Sequence, residues 1–397
     1  MANTNLTIDQ ITNESLMVLH QKANFLGTIN RQYDSSFAKS GAKIGDTLRI
    51  RLPNQYTVRT GATLNTQDVT EQNTSLQVAT QKGVDVNFSS EELTMDIDAF
   101  SKRILEPAMS VLAASIEADV MNVYKNVWNQ SDNVGAAATF AKVLGGSKIL
   151  TDNLAPYSDR CLNLCTQDNV DMVDALKGLF NAQDKLSSNY KEGRLAGPFA
   201  GFDDIYENTL WPTLTTGTDD GTGDHLVNGA NQTGASVTHS SNGTGTFVVG
   251  DIITFAGCNS VHPETKSDTG NLKQFVVTAA MSGTDTTVSI SPSIVTSGAT
   301  QNCSASPTTT GAITKVGGAS AVHNISMAYH KDAFTFATAD LIMPKGVDMA
   351  ARKVMDGISL RIVRNYDINN DKFPCRIDVL YGYKATRPEL ACRLANN

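Results

Sequence analysis

The sequence predicts an α+β protein in which an all-β segment interrupts a larger α/β host domain. Residues 46–89 contain two runs of alternating apolar and polar residues, a pattern typical of strands. Residues 90–129 carry apolar residues at steps of three and four, which predicts one long helix. In residues 214–322, Ser, Thr and Gly make up nearly half of the positions, and short β-rich runs alternate with turn residues. A chain of 397 residues is long enough for two or three domains.

Composition argues against one broad class of function. The net charge is −8, charged residues are 18% of the chain, and no run of like charges occurs. A protein that holds nucleic acid mainly by charge usually has a basic patch or tail. The first residues lack the features of a signal peptide, and no apolar run reaches the roughly 18 residues of a membrane span. We therefore expect a chain made in a cytosol, with no membrane partner.

The N-terminal part predicts an arm followed by an extended hairpin. Residues 1–45 carry a weakly amphipathic segment from Ile8 to Leu26 and then polar chain, and we interpret them as an arm that needs a partner surface. In DTLRIRLP, Leu48 and Ile50 share one face of a strand, and Arg49 and Arg51 share the other. GVDVNFS alternates in the same way. The long polar stretch between these strands cannot build its own core, so we expect it to pack on something outside its domain.

Helices are predicted in the middle of the chain. The first runs from Asp98 to Trp128, roughly 45 Å at about 1.5 Å per residue. Pro107 should kink this helix or begin its main segment. Farther along, RCLNLCT is typical of a strand, and Asp168 is predicted to cap the helix NVDMVDALKGLF.

The charge-poor segment 214–322 predicts a small barrel or sandwich. Its strand runs include DIITFAG and KQFVVTA, separated by Gly, Asn and Asp. Low-complexity disorder is the alternative for such a composition. Residues 323–397 return to mixed α/β patterns, so the segment is predicted to be inserted into a discontinuous host domain.

No catalytic constellation is found in the sequence. There is no Gly-x-Ser-x-Gly, no phosphate-binding Gly-rich loop and no His-Glu-x-x-His. The six cysteines include no Cys-x-x-Cys, and we interpret them as buried small hydrophobic residues. His330 and Asp332 have a spacing that could serve a metal, but a single pair favours a structural role. The sequence therefore predicts no enzyme, no cofactor and no metal site.

Five stretches, spread over most of the chain, together form a specific pattern. They resemble the major capsid protein of tailed double-stranded DNA bacteriophages, and within that group the coat proteins of the Salmonella short-tailed phage type, which carry an inserted domain. The stretches are LEPAMSVLAASIEADV (105–120), LAGPFAGFDDIYENTLWP (195–212), GDIITFAGCNSVHPETKSDTGNLKQFVVTA (250–279), NISMAYHKDAFTFATADL (324–341) and CRIDVLYGYKATRPEL (375–390).

The resemblance implies the Hong-Kong-97-type capsid fold, with an N-terminal arm, an E-loop, a peripheral (P) domain built on a long spine helix, and an axial (A) domain. It also implies an inserted, barrel-like all-β domain. The implied boundaries are 1–45 for the arm, 46–89 for the E-loop and its base strands, 90–130 with strands 375–397 for the P domain, 131–213 with 323–374 for the A domain, and 214–322 for the insertion.

The resemblance also implies partners and a location. Copies of the chain would form hexamers and pentamers that close an icosahedral shell around packaged double-stranded DNA, which the shell would touch only weakly and non-specifically. A scaffolding protein, a portal protein and a decoration protein are the other implied partners. The location would be the virion capsid, after assembly in the cytoplasm of the host bacterium.

Charged residues of the hairpin, the β segment and the C-terminal end are the candidates for intersubunit contacts. The polar hairpin would lie over a neighbouring subunit and meet acidic groups there. The candidates are Arg49, Arg51, Arg59, Glu71, Asp219, Asp220, Arg387 and Glu389.

Two features depart from the family. Some members of the broader fold cross-link subunits through a lysine of the E-loop, whereas residues 52–81 contain no Lys and the nearest is Lys82. We therefore expect no covalent cross-links. Family insertions can also carry a charged loop that ties capsomers together, but in the matching stretch here, residues 215–240, only Asp219, Asp220 and Asp224 are charged. The arm, the hairpin or a decoration protein would then hold the shell instead.

The C-terminal run CRIDVLYGYKATRPELACRL predicts a docking edge. Its strand should lie beside the base of the hairpin, with Gly382 permitting a break. Pro388 would make a rigid corner that presents Arg387 and Glu389 to a neighbouring subunit near a three-fold axis. Two alternatives stay open: an encapsulin-type compartment shell, which shares the fold, and a β-rich phage tail or adhesion protein.

Overall fold

The chain is described by a computed structural model and falls into two compact units. The first comprises Met1–Ile50, Asn73–Met121 and Phe334–Thr386, and the second comprises Arg51–Gln72, Asn122–Ala333 and Arg387–Asn397. The residues that the structure describes are 12, 15–17, 19, 23–33, 47–64, 66–68, 71–89, 106–176, 198–221, 225–241, 243–355, 357–370 and 372–397.

A six-stranded sheet organises the first unit around one long strand. This strand, β19 (Lys372–Ala385), pairs along one side with β4 (Thr80–Ser89). Along its other side it pairs with β16 (Phe334–Ala339) and then with β18 (Ile358–Arg364), all antiparallel. Two edge strands complete the sheet: β1 (Asn30–Tyr33), parallel to β16, and β17 (Met349–Met355), antiparallel to β18.

The predicted alternation at the base of the hairpin is confirmed. β2 (Thr47–Arg51) pairs with β3 (Asn73–Gln77), and Leu48 and Ile50 pack against an apolar cluster of the first unit while Arg49 is exposed. In the sheet, Val84 of β4 lies opposite Ile377 of β19. The C-terminal strand therefore lies beside the base of the hairpin, as its sequence predicts.

Gly382 does not break its strand, because β19 continues through it to Ala385. Its role is to allow a close approach: a Cβ at Gly382 would lie 2.1 Å from the carbonyl oxygen of Gln77 in β3. The prediction of a break is wrong because a glycine in a strand can mark either a bend or a neighbouring backbone, and sequence does not distinguish them.

Among the helices of the first unit are α1 (Asn24–Thr28) and α2 (Glu106–Met121). Residues 98–105 of the predicted long helix lie outside the described residues, and Pro107 is the second residue of α2. A 3-10 turn, Asn122–Asn126, follows α2 where the prediction continued the α-helix. Asn, Val and Tyr are weak helix formers, which fits a helix that tightens and ends here.

The second unit contains a six-stranded sheet centred on β15 (Val322–His330). β15 pairs antiparallel with β20 (Ala391–Asn396) on one side and β6 (Arg160–Leu164) on the other. Three short strands complete the sheet: β5 (Gln130–Asp132) parallel to β20, β7 (Asp204–Glu207) parallel to β6, and β8 (Thr213–Thr215) antiparallel to β15. The helices α3 (Phe140–Asp152) and α4 (Thr166–Leu176) belong to the same unit.

The prediction that Asp168 caps α4 is wrong. Asp168 lies inside the first turn, and its N–H donates to the Cys165 sulfur at 3.4 Å. The buried Asp168 carboxylate instead accepts hydrogen bonds from Ser326 Oγ of β15 and from Asn396 Nδ2 of β20, the latter at 2.9 Å. Burial raises the pKa of Asp168 despite these bonds. The side chain therefore joins α4 to two strands that local sequence could not reveal.

A second six-stranded sheet in this unit is antiparallel throughout and closes on itself. Val227 N donates to Gly311 O at 2.9 Å and Thr310 N donates to Val227 O at 2.8 Å, which joins the first strand to the entry of the last. We call this closed sheet the barrel. Its strands are β9 (His225–Val227), β10 (Gly234–Ser241), β11 (Ile252–Val261), β12 (Asp268–Val277), β13 (Thr287–Ile294) and β14 (Ile313–Lys315).

The units divide the C-terminal part differently from the predicted boundaries. Residues 334–374, predicted to belong to the A domain, lie in the first unit with α2. Arg387–Asn397, predicted to complete the spine-helix domain, lies in the second unit, where β20 pairs with β15. Alternating patterns identify strands but not the sheet that each strand joins, so the assignment of these strands to the peripheral and axial domains stays a prediction.

Candidate intersubunit contact surfaces

The hairpin of residues 51–72 extends the ladder of β2 and β3. Leu52 N donates to Gln72 O at 2.8 Å, and Thr57 N donates to the Gln67 side-chain oxygen at 2.9 Å. Arg51 and Glu71 form an ion pair at 3.6 Å with both side chains exposed. A pair this exposed contributes about 0–1 kcal/mol. The hairpin is thus shaped by its backbone and polar contacts rather than by a core of its own.

Three large apolar side chains of the hairpin are exposed. Tyr56 is 56% exposed, Val58 95% and Leu64 78%. Nearby, the Arg59 guanidinium donates to the Gly61 carbonyl. The sequence-based candidates in this hairpin are all charged and do not include these apolar residues. The available signal was the two-residue spacing of Tyr56 and Val58, which is that of residues on one face of a strand. The hairpin therefore offers apolar surface as well as charge.

Lys82 fastens the base of the hairpin to α2 within the first unit. Its ammonium lies 2.5 Å from Asp119 Oδ2 and 2.9 Å from Ser115 Oγ. The Tyr381 hydroxyl donates to the same Asp119 oxygen at 2.7 Å. Burial and this carboxylate raise the pKa of Tyr381. Lys82, the lysine nearest the hairpin, is thus engaged inside its own chain.

The C-terminal corner is held from both sides within the second unit. Arg387 N donates to Ala333 O at 3.1 Å, and a 3-10 turn, Pro388–Leu390, follows. Asn129 Nδ2 donates to the Glu389 carbonyl at 3.3 Å. The side chains of Arg387 and Glu389 pair with each other at 3.0 Å and are about one-third exposed. The structure thus brings this predicted pair together at a rigid, partly exposed corner.

Asp219 and Asp220 have opposite environments. Asp219 is fully buried, accepts a hydrogen bond from Gly221 N at 2.8 Å and lies 3.6 Å from His225 Nε2. Asp220 is exposed. The prediction that Asp219 contacts another subunit is corrected, because its carboxylate is enclosed by its own chain. Asp224 lies outside the described residues.

The described residues show little that could support metal chemistry. Within them, no group of three or more His, Cys, Asp or Glu side chains could hold a metal ion. His330 Nδ1 accepts a hydrogen bond from Asp332 N at 3.2 Å, which makes this pair a turn contact. In the same ranges, no helix is both long enough and apolar enough to span a membrane. All six cysteines are buried free thiols, as predicted.

The polar hairpin thus exposes three large apolar side chains, and the C-terminal corner carries a partly exposed charged pair. The chain belongs to the P22 coat protein family, described as P22 coat protein, gene protein 5, which matches residues 1–394. It is a major capsid protein of the tailed-phage type, which forms the shell of the virion.

Solved structures of phage capsids resemble the chain at low identity. A chain of Mycobacterium phage Che8 is 9% identical with a TM-score of 0.47, covering 94% of this chain and 90% of that one. The capsid structure of the cyanophage P-SCSP1u is 11% identical with a TM-score of 0.45, covering 93% and 86%. The mature capsid of bacteriophage PhiM1 is 11% identical with a TM-score of 0.45, covering 94% and 87%. No curated protein sequence matches the chain.

Proposed function

We propose that copies of this chain form pentamers and hexamers that close an icosahedral shell around double-stranded phage DNA, with the hairpin as the main contact between copies. The observation that carries this proposal is the exposure of Tyr56, Val58 and Leu64 on a hairpin without its own core. Large apolar side chains that are exposed close together in sequence, on a segment without its own core, can mark an interaction site. Ring-closing contacts need two different surfaces on each copy, and a reaching hairpin supplies one of them.

The proposed assignment to the Hong-Kong-97-type fold follows the same elements. The hairpin with β2, β3 and β4 would be the E-loop and its base, and α2 would be the spine helix. The sheet of the first unit would belong to the peripheral domain and the sheet around β15 to the axial domain. The barrel would be the inserted domain. Support comes from the pairing of β4 with β19 and from the closed antiparallel order of the barrel strands.

Charged residues would exchange partners on assembly. In the single chain Arg51 pairs with Glu71, and Arg387 pairs with Glu389. Exposed pairs contribute about 0–1 kcal/mol each, so giving them up for contacts across an interface costs little. Arg49, Arg59 and Asp220 complete the set of proposed contact residues.

The net charge of −8 suits a shell that encloses DNA without adhering to it. The further partners in this proposal are a scaffolding protein, a portal protein and a decoration protein. Assembly would take place in the cytoplasm of the host bacterium. Because Lys82 is engaged by Asp119, the proposal also includes a shell without covalent cross-links.

Electron microscopy of the expressed chain tests this function. Closed shells built of pentamers and hexamers are the expected result. A population of monomers that never assembles, with or without scaffolding protein, would contradict the proposal. Nucleic acid inside particles from infected cells separates a phage shell from an encapsulin-type compartment. A ladder of bands on a denaturing gel would contradict the absence of cross-links.

A further inference from the structure

Strand β5 lies at one edge of the sheet around β15, and among the described residues no strand pairs with its outer side. On the inner side, Arg393 N of β20 donates to Asn129 O at 2.8 Å. Farther along, Asn133 N donates to Ala395 O at 3.0 Å. Backbone groups of successive residues point to opposite sides of a strand, so the N–H and C=O of Gln130 face away from β20. Free backbone groups at a sheet edge are a template for pairing with another chain.

The side chain of Gln274 in barrel strand β12 occupies both of these groups. Gln130 N donates to Gln274 Oε1 at 2.7 Å, and Gln274 Nε2 donates to Gln130 O at 3.1 Å. A carboxamide offers an acceptor oxygen and an N–H donor, as a peptide group does. Gln274 therefore takes the place of a neighbouring strand at this position. The next outward carbonyl of β5, that of Asp132, accepts a hydrogen bond from the Lys142 ammonium of α3.

Further contacts hold the barrel against this edge. Trp128, just before β5, forms one buried apolar cluster with Ile252 of β11 and Val276 of β12. From β20, the buried Arg393 guanidinium donates to the carbonyl of Gly250, in the turn before β11, at 2.8 Å. The barrel is thus fixed to the edge of the sheet by apolar packing and by a charged hydrogen bond as well as by the carboxamide.

The opposite edge of the same sheet is protected by charge. β7 forms that edge, and its first and last residues, Asp204 and Glu207, are exposed. If β7 paired antiparallel with β7 of a second copy, the acidic residues of the two copies would lie opposite each other and repel. In β5 the single acidic residue, Asp132, would lie opposite the uncharged Gln130 of the second copy. Charge therefore does not protect the β5 edge, and its protection depends on the barrel.

We propose that the barrel is an autoinhibitory cover that keeps β5 of one copy from pairing with β5 of a second copy. Two identical edge strands pair antiparallel about a two-fold axis, and such a contact closes a dimer. A closed dimer of this kind is a dead end for a chain that forms the shell of a virion. Gln274 is the positioning residue of the cover, because its carboxamide occupies the two backbone groups that a second strand would use.

The cover is independent of the surfaces proposed to join copies in the shell. Its residues belong neither to the hairpin of residues 51–72 nor to the corner at Arg387 and Glu389. The cover explains why a chain that is present in many copies does not associate through its own sheet edge. A shell without the hairpin contact would leave the cover unaffected, and an uncovered β5 edge would leave the hairpin contact unaffected.

Two variants of the full, unassembled chain test the proposal. Trp128→Ala combined with Gln274→Ala removes the apolar and the polar contact of the cover. Trp211→Ala combined with Gln301→Ala is the matched control, because the Trp211 side chain donates to β6 and the Gln301 side chain donates to a backbone carbonyl two residues away. We expect the first variant to dimerise at a concentration roughly tenfold lower than the control, measured by analytical ultracentrifugation.

A third substitution shows whether that dimer forms through β5. Gln130→Pro, added to the first variant, removes the outward N–H and leaves the hydrogen bonds of the flanking residues to β20 in place. We expect this addition to return dimerisation to the level of the control. In the folded wild type, the Gln130 amide should exchange its hydrogen slowly, because Gln274 accepts its hydrogen bond.

Three results would overturn the proposal. One is rapid hydrogen exchange of the Gln130 amide in the folded wild type. The second is equal dimerisation of the first variant and the control, since this would show that the uncovered edge does not pair. The third is dimerisation that persists when Gln130→Pro is added. The first result is measured on the wild-type chain, so it holds even where a variant folds poorly.

Discussion

Gly382 of β19 lies directly against Gln77 of β3, so that a Cβ on Gly382 would be 2.1 Å from the Gln77 carbonyl oxygen. A backbone oxygen cannot move aside as a flexible side chain can. We predict that Gly382→Ala lowers the free energy of unfolding by about 2–3 kcal/mol, measured by chemical denaturation of the unassembled chain. Gly27→Ala is the control, because nothing lies within 4 Å of a Cβ at Gly27 in α1. Equal stability of the two variants would contradict the close approach.

The exposed apolar tip of the hairpin yields a prediction about assembly. We expect Val58→Asp to leave the stability of the single chain within about 0.5 kcal/mol of the wild type, because Val58 has almost no intrachain contact to lose. The same variant should reduce the yield of shells at least tenfold, because a carboxylate would be buried unpaired at the interface. Sedimentation separates shells from subunits. Val58→Ile is the matched control and should assemble normally; wild-type yield from the Asp variant would argue against this contact.

The C-terminal corner yields a second prediction about assembly. Arg387→Ala removes a partly exposed pair with Glu389, so we expect a loss of no more than about 1 kcal/mol in the stability of the single chain. If Arg387 contacts a neighbouring copy, the same variant should impair shell closure severely. Lys148→Ala removes a comparable exposed pair with Asp152 in α3 and should affect neither measurement. Shell yields that match for the two variants would refute a contact at Arg387.

His323 should make the stability of the chain depend on pH. Burial, together with the Arg393 charge, lowers the pKa of His323 from 6.5 to about 4. The folded state therefore binds fewer protons than the unfolded state between these values. The stabilisation is complete above about pH 6.5 and is lost as the pH falls toward 4. We expect His323 to account for a loss of about 2 kcal/mol between about pH 7 and pH 5.

Denaturation of the wild type and His323→Leu at both pH values measures this contribution. The variant should show a pH dependence smaller by about 2 kcal/mol, whatever its stability at neutral pH. Because the readout is a difference between two pH values, a general loss of stability in the variant does not affect it. An unchanged pH dependence would show that the ring of His323 takes up its proton without unfolding.

The parts of the fold that sequence predicts are those with a local signal. Leu48 and Ile50 alternate with arginines, and the structure packs the first pair inward and exposes Arg49. The β19 strand and its place beside β4 follow from similar alternation. Period-two patterns report which face of a strand is buried, and that information lies in a few neighbouring residues.

The wrong predictions concern side chains whose role depends on contacts with residues far away in the sequence. Asp219 and Asp220 are indistinguishable in sequence, yet only Asp219 is enclosed, next to His225 of β9. Asp168 resembles a helix cap in sequence. In the structure, Ser326 and Asn396 donate hydrogen bonds to its carboxylate from strands more than 150 residues away. In both cases the tertiary environment overrides the local preference.

On the candidate contact surface, sequence predicts the charged residues but not the apolar ones. The reason here is composition rather than distant contacts. Attention to charge identified Arg51 and Glu71, which the structure pairs with each other. The apolar residues Tyr56 and Val58 lie in a stretch that is polar overall. The average composition of this stretch therefore gives no sign of an apolar contact surface. Their exposure becomes informative only when the structure shows that the described part of the chain leaves them uncovered.

The central claim is that the hairpin joins neighbouring copies in the shell. A cryo-electron microscopy reconstruction of assembled particles, at a resolution that shows side chains, tests it most directly. We predict that Tyr56, Val58 and Leu64 are buried against a second copy of the chain. A reconstruction in which these three side chains remain in solvent, with the shell held by other surfaces, would contradict the account.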